Sequence, residues 1–424
     1  VDGVGTYTVA ADGTVTFVPE KSFVGTAPAV TVVREDKNGT KASATYTPTV
    51  TPVTPTATPA ETTGVQGATQ SGKPTFTEGN NRVPMNDDVP ATFDDGSTTK
   101  TVDGVGTYTV AADGTVTFVP DPSFTGTAPA VTVVREDKNG SKASATYTPT
   151  VNPVTLTPTN KVSEDIQNVP QTETPTFALS DDETAQITSK KLIDPATGQP
   201  TDETTVTVAG EGTYTIDPTT GAVTFTPEKD FVGTATGVKV QATATITNAD
   251  GKTSTITSDA SYTPTVVAAV PTATPATSKD IQGATQTGTP TFAGTTVQVN
   301  GQDKAITIKD NSYTLLDNDG NEVTSTPAYA ADGTTEIGTY SIDPATGQVT
   351  FTPTDKSYTG KVTPVKVQAE SSNGIKVDTT YTPEIVPVTP TATPAETTDI
   401  QGATQTGKPE FKGGTVTVDG VEKT

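Results

Sequence analysis

The chain has 424 residues, with 26 Lys+Arg against 49 Asp+Glu, a net charge of −23, and no Cys, His or Trp. That composition excludes disulfides, thiolate metal sites and imidazole-based catalysis, and its negative field opposes binding to nucleic-acid phosphates or anionic lipid. Val, Ile, Leu and Phe make up only about 19% of the chain, while Thr reaches 97 residues, so the composition lies at the edge of disorder and folding rests on where the few apolar residues stand. No apolar run approaches the roughly 20 residues of a membrane span, and Val1–Pro19 reads as patterned structure rather than as a signal peptide.

In chain order, Thr6–Ala10 and Thr14–Val18 alternate apolar and polar residues around Asp12-Gly13, a strong short-range signal for a hairpin. The period of two places Tyr7, Val9, Val15 and Phe17 on one face. Phe23 follows in a loop as a core plug. Val30–Val33 and Ala44–Thr47 then flank Asn38-Gly39, a second hairpin. From Thr47 to Ala60 runs a proline ladder. It reads either as a polyproline spacer, or as the terminal edge strand of one unit running into the next, or as a glycosylated stalk. Gly64–Gln70 and Pro74-Thr75-Phe76 supply further short strands.

These elements then repeat. Gly5-Thr6-Tyr7 returns at Gly106, Gly212 and Gly338, and Tyr46-Thr47-Pro48 at Tyr147, Tyr262 and Tyr381. Gly64-Val65-Gln66 returns as Asp165-Ile166-Gln167, Asp280-Ile281-Gln282 and Asp399-Ile400-Gln401. Val1–Val50 and Val102–Val151 differ only at Glu20/Asp121, Lys21/Pro122, Val24/Thr125 and Thr40/Ser141. A period of about 100 residues is too long for a solenoid and fits independent domains. Short alternating strands with turns every 8–12 residues predict an all-β fold, tandem β-sandwich domains in an extended rod with short Pro/Thr-rich joints. The expected boundaries are 1–53 (the C-terminal part of a repeat), 54–154, 155–270, 271–388 and 389–424 (the N-terminal part of a repeat). Lys190–Thr205 and Ile306–Pro327 are local insertions, the second an extra hairpin around Asp317–Gly320.

No residue set carries convincing chemistry, so no catalytic, cofactor-binding or metal residue is expected and the protein is not expected to be an enzyme. Gly3-Val4-Gly5, Gly104-Val105-Gly106 and Gly210-Glu211-Gly212 lack the helix of a phosphate-binding fingerprint and read as turn glycines. Asp317–Glu322 resembles a calcium loop but has its Gly at the wrong place, so it reads as a hairpin tip. Asp94-Asp95 and Asp181-Asp182-Glu183 read as loop acids. Arg34–Lys37 and Arg135–Lys138 read as solvated mixed-charge surface. Asn38 and Asn139 match a glycosylation acceptor pattern.

The combination of Gly5–Pro19, Tyr46–Ala60 and Gly64–Phe76 with their copies resembles the CshA-type fibril repeats of streptococcal, Gram-positive surface adhesins, over essentially the whole chain. The resemblance implies a cell-wall-anchored extracellular protein whose β-sandwich repeats stack into surface fibrils. It also implies ligand-binding regions outside this chain, with host matrix such as fibronectin, or other bacteria, as partners. The expected role is a structural stalk projecting a distal binding region, its repeats contacting neighbouring repeats. The alternative is that the repeats bind host matrix or other bacteria directly through many weak contacts. Neither nucleic acid nor membrane is an expected partner.

Overall fold

A computed structural model describes residues 1–424 and consists of strands and turns without helix. The chain divides into two compact units, Val1–Thr159 with Thr176–Lys191 and Val240–Ala260, and Asn160–Pro175 with Leu192–Lys239 and Ser261–Thr424.

The first unit holds a complete sandwich. One sheet has the strand order Thr99–Val102, Gly106–Val110, Val116–Pro120, Gln70–Gly72. The other joins Thr92–Phe93, Val131–Glu136, Lys142–Asn152 and Gly126–Thr127, with Ala60–Val65 also on Lys142–Asn152. The predicted hairpins form, and the residues expected on one face pair across the first of them, Tyr108 with Phe118 and Val110 with Val116. Alternation then puts Tyr108, Val116, Phe118, Val131, Val133 and Tyr147 into one core against Phe93 and Ala91. The Tyr108 and Phe118 rings lie 4.5 Å apart and tilted, a geometry that adds to plain burial.

Gly106 is not a turn glycine. Gly104 takes the turn, whereas Gly106 opens the strand at φ +150°, and a Cβ there would stand 2.5 Å from the Val119 carbonyl oxygen and 2.7 Å from the Phe118 ring. The Gly-Thr-Tyr motif therefore records a close approach of backbone to ring.

The first strand, Ala60–Val65, pairs parallel with the last, Lys142–Asn152. The chain then crosses to the opposite sheet through the Gln66–Thr69 turn. Pro149 fits inside the last strand because its carbonyl accepts from Ala128 at a point where the antiparallel neighbour is interrupted between Gly126–Thr127 and Val131–Glu136, so no amide is needed there. The Tyr-Thr-Pro segment is thus strand, and only Pro153-Val154-Thr155 separates it from the next strand, Leu156–Thr159.

The second unit repeats this plan. One sheet has the order Gln286–Gly288, Val349–Pro353, Glu336–Ile342, Ser325–Tyr329, and Ala276–Ile281 pairs parallel with Lys376–Val386. Its core contains Leu315, Tyr340, Val349, Phe351, Val367 and Tyr381. The insertion expected as an extra hairpin is one, Thr314–Leu316 against Glu322–Val323. In the same unit Gln171–Glu173, Val223–Pro227, Gly212–Ile216 and Thr205–Val208 form the corresponding four-stranded sheet, and Lys161–Ile166 pairs parallel with Tyr262–Val267.

Candidate functional site at the joints between repeats

Each repeat ties its first strand to its last by a polar clamp. The Thr62 hydroxyl lies 2.7 Å from the Tyr147 hydroxyl and donates to Gln70 Oε1 at 2.6 Å, while Gln70 Nε2 donates to the Thr150 carbonyl at 3.0 Å. Ser163, Tyr262, Gln171 and Thr265 reproduce the arrangement, as do Ser278, Tyr381, Gln286 and Glu384. The glutamines are buried, so each must spend its amide on such partners. Burial pushes the Tyr147, Tyr262 and Tyr381 hydroxyls up from the ordinary tyrosine range, and pushes Tyr108 up to about 12. The clamp holds the crossing turn, and that turn is the end face on which the next repeat sits.

At the first complete joint, within the first unit, Gln66 is buried and braces the end face of its own repeat. Its Nε2 donates to the Pro122 carbonyl at 2.7 Å, and its Oε1 accepts from the Val154 amide at 3.2 Å. From the following repeat, Asn248 Nδ2 donates to the Pro120 carbonyl at 2.8 Å and the Ser254 hydroxyl donates to the Pro122 carbonyl at 2.5 Å. Val154, Ala185 and Ile246 form a small buried cluster beside these bonds. Gly67, at φ +84°, lies beneath Ile246 and the Thr247 carbonyl, where a Cβ would stand 3.0 and 3.1 Å away. Both the left-handed backbone and the close neighbour favour glycine there.

At the second joint, within the second unit, Asn168 takes the left-handed turn position at φ 65°, a conformation Asn tolerates through its short polar side chain. Its Nδ2 donates to the Asn373 carbonyl at 3.2 Å, and Asn373 Nδ2 donates back to the Ala269 carbonyl at 2.9 Å and the Gln167 carbonyl at 3.4 Å. The apolar part is larger: Ile166, Ala269, Val299 and Ile306, with Val169, Val267 and Val297 packed around them. Val297 and Val299 belong to a hairpin, Thr296–Val299 against Gln302–Ala305, turned by Asn300-Gly301. That hairpin went unread in the sequence, although Asn-Gly flanked by alternating residues is a strong signal for one.

The residues singled out by sequence take modest places. Asp317 caps its own hairpin tip, accepting from the Asp319 and Asn321 amides at 2.9 and 2.8 Å, and these bonds, led by that of the Asn321 side chain, hold its carboxyl below the ordinary range. Asp94 and Asp95 pair with Lys100. Asp181 accepts from the Glu183 amide and the Thr184 hydroxyl. No group of three or more carboxylates is placed to hold a metal ion.

The quartet Arg135–Lys138 corrects its reading as solvated surface. Asp137 is fully buried and caps the Asn139 and Ser141 amides at 2.9 Å each, while Arg135 and Lys138 pair with Asp87 and Asp88. Asn80–Asp88 reaches over this turn, through the Asn86 amide on the Glu136 carbonyl and the Lys138 amide on the Pro84 carbonyl. No such bonds reach the first copy, where Asp36 stays exposed.

Tandem all-β domains with short joints and a shared clamp define a repeat protein. The sequence profile described as "Surface adhesin CshA repetitive domain" matches residues 1–50, 52–151, 153–266 and 268–385. The chain belongs to this family and is a repeat region of an extracellular surface adhesin. No curated protein sequence matches it. Among solved structures it resembles the protocadherin GammaB4 extracellular domain, with TM-score 0.28 and 11% identity over 92% of this chain and 65% of that one. It also resembles the titin I9–I11 tandem, with TM-score 0.28 and 11% identity over 79% and 99%. The chain thus spans about 65% of the length of that protocadherin.

Proposed function

We propose that these repeats are a structural stalk that projects a distal binding region of the adhesin away from a Gram-positive cell wall, and that they carry no enzymatic activity. The observation that supports this most is the joint. The first two complete repeats each offer the next an end face of backbone carbonyls and apolar side chains braced by a buried Gln, and the next repeat answers with a buried Asn. Polar groups satisfied in this way orient one domain on another, because leaving any of them unpaired costs about 1–3 kcal/mol. Near-identical copies suit a spacer, which gains length by duplication. The charge of −23 keeps neighbouring stalks apart. Host matrix proteins such as fibronectin, or other bacteria, are then engaged by parts of the adhesin outside these residues, and the wall anchor belongs there too.

Direct binding by the repeats is the competing reading. Immobilised fibronectin and whole partner bacteria, presented to the 424-residue chain, separate the two. The stalk reading expects binding no greater than to an albumin-coated surface. Saturable binding that grows with the number of repeats would replace it with multivalent adhesion.

A further inference from the structure

The end faces of the repeats differ by one short sequence, and that difference tracks a feature of the following repeat. Where the first strand ends in Asp165-Ile166, the next repeat presents the hairpin Val297-Gln298-Val299-Asn300-Gly301-Gln302-Asp303-Lys304. Where it ends in Asp280-Ile281, the next segment presents Val416-Thr417-Val418-Asp419-Gly420-Val421-Glu422-Lys423. Where it ends in Gly64-Val65, the chain between Thr176–Leu179 and Ala185–Ile193 of the next repeat is the short loop Ser180–Thr184, with no hairpin. Asp and hairpin occur together, and Gly and no hairpin occur together.

The contacts give this covariation a physical cause. The two hairpins share a register, Lys304 opposite Val297 and Lys423 opposite Val416, so each carries Lys and Val side by side on one face. Their turns are alike, with Asn300 at φ 50° and Gly301 at φ 74°, and Asp419 at φ 47° and Gly420 at φ 82°, the left-handed pair that a two-residue hairpin requires. Lys304 Nζ pairs with Asp165, and Lys423 Nζ donates to Asp280 Oδ2 at 3.1 Å. The second valine of each hairpin is buried, Val299 among Ile166 and Ile306, and Val418 at 3% exposure. The Asn300 amide donates to Glu164 Oε2 at 2.5 Å, fixing the first hairpin's tip.

We propose that the Asp-Ile pair at the end of the first strand is a receptor for a Val-x-Val-(Asn/Asp)-Gly-x-x-Lys hairpin at the head of the adjoining repeat, and that this pairing decides which repeats become rigid neighbours. Asp165 and Asp280 select the lysine, and Ile166 and Ile281 form the apolar seat. Repeats ending in Gly-Val accept a hairpinless neighbour instead. The pairing belongs to two adjoining repeats, so it stands or falls separately from the stalk reading.

The test uses the full chain and amide hydrogen exchange in the Thr296–Ala305 hairpin, with Val416–Lys423 as internal control. Asp165→Lys and Lys304→Asp should each lower protection of the Val299 and Gln302 amides, by up to about fivefold for a partly exposed pair. The double variant should recover most of that loss, and the control hairpin should not change. In a second variant, Val297–Lys304 is replaced by the sequence of Val416–Lys423. It should retain protection, since it carries the same recognition face. Unchanged protection in both single variants, or a double variant no better than the singles, would overturn the selection by charge. Loss of protection after the hairpin exchange would overturn the shared receptor.

Discussion

The two complete joints are built on the same crossing turn and solve the same problem with different chemistry. At the first, Val65 lies outside the joint's apolar cluster, and the contact is made by Asn248 and Ser254 on the Pro120 and Pro122 carbonyls beside Val154, Ala185 and Ile246. At the second, Ile166 leads a larger apolar cluster, a hairpin is added, and the donating asparagine has moved to Asn373, another position of the equivalent turn. The repeat cores hardly differ, since Tyr, Phe and Val keep their places in every copy. What has diverged is the pair of surfaces that meet, and both sides have diverged together. A joint is therefore specified by turns and insertions while the sandwich that carries them is held constant.

The largest expected effect comes from removing the apolar seat of the second joint. Ile166→Ala should destabilise that joint by about 2–4 kcal/mol, the cost of a buried large-to-small change, seen as faster hydrogen exchange in the Thr296–Ala305 hairpin packed against it. Val65→Ala at the corresponding place of the first joint should cost less than about 1 kcal/mol. Equal losses would erase the distinction between the joints.

Next come the asparagines. Asn373→Asp places a carboxylate against the carbonyls of Ala269 and Gln167, and Asn248→Asp places one against the carbonyl of Pro120. Each should cost about 1–3 kcal/mol through a lost donor and an unpaired buried acceptor. Differential scanning calorimetry at neutral pH would report both. Because Asn373 serves two carbonyls, its variant should have the lower melting temperature.

A third prediction concerns alkali and applies to both regions alike. Burial raises the Tyr108, Tyr147, Tyr262 and Tyr381 pKa values above 10. The unfolded chain then ionises first, so the associated stability is complete below pH 10 and is lost as pH climbs toward about 12, where Tyr108 ionises. Absorbance titration of tyrosinate should show a late, cooperative phase coincident with unfolding. A single phase centred on pH 10, with the fold intact, would show that the clamps are open in solution.

The smallest effect lies at an exposed turn away from both joints. Asp332 is held down to about 2 by the Thr335 hydroxyl and the Thr334 and Thr335 amides. Its contribution is complete above about pH 4 and is lost as pH falls toward 2. Asp332→Asn should flatten the acid limb slightly in circular dichroism and leave joint exchange unchanged, which makes it a baseline for the other variants.

Much of the repeat was legible because its hairpins are written in local code: Tyr7 with Phe17 across Asp12-Gly13, and alternation everywhere else. The joints were less so. The parallel pairing of Ala60–Val65 with Lys142–Asn152 links residues some 85 positions apart, and nothing local in either strand announces it. Gln66 and Gln167 stood out only as repeated letters, since a buried glutamine that braces its own repeat's end face looks like any exposed glutamine until its carbonyl partners are in place. Asp137 read as surface because burial by Asn80–Asp88 is a tertiary fact. The Val297–Lys304 hairpin had a local signal and was passed over between two better-marked motifs.

The central claim is that each joint holds the two repeats it joins in one fixed contact. Nuclear Overhauser contacts on the 424-residue chain test it most directly. The account predicts contacts between the Ile246 methyls and Gly67 within the first unit, and between the Asn373 side-chain amide and Ala269 within the second. Their absence while the tyrosine cores of the adjoining repeats stay folded would contradict it.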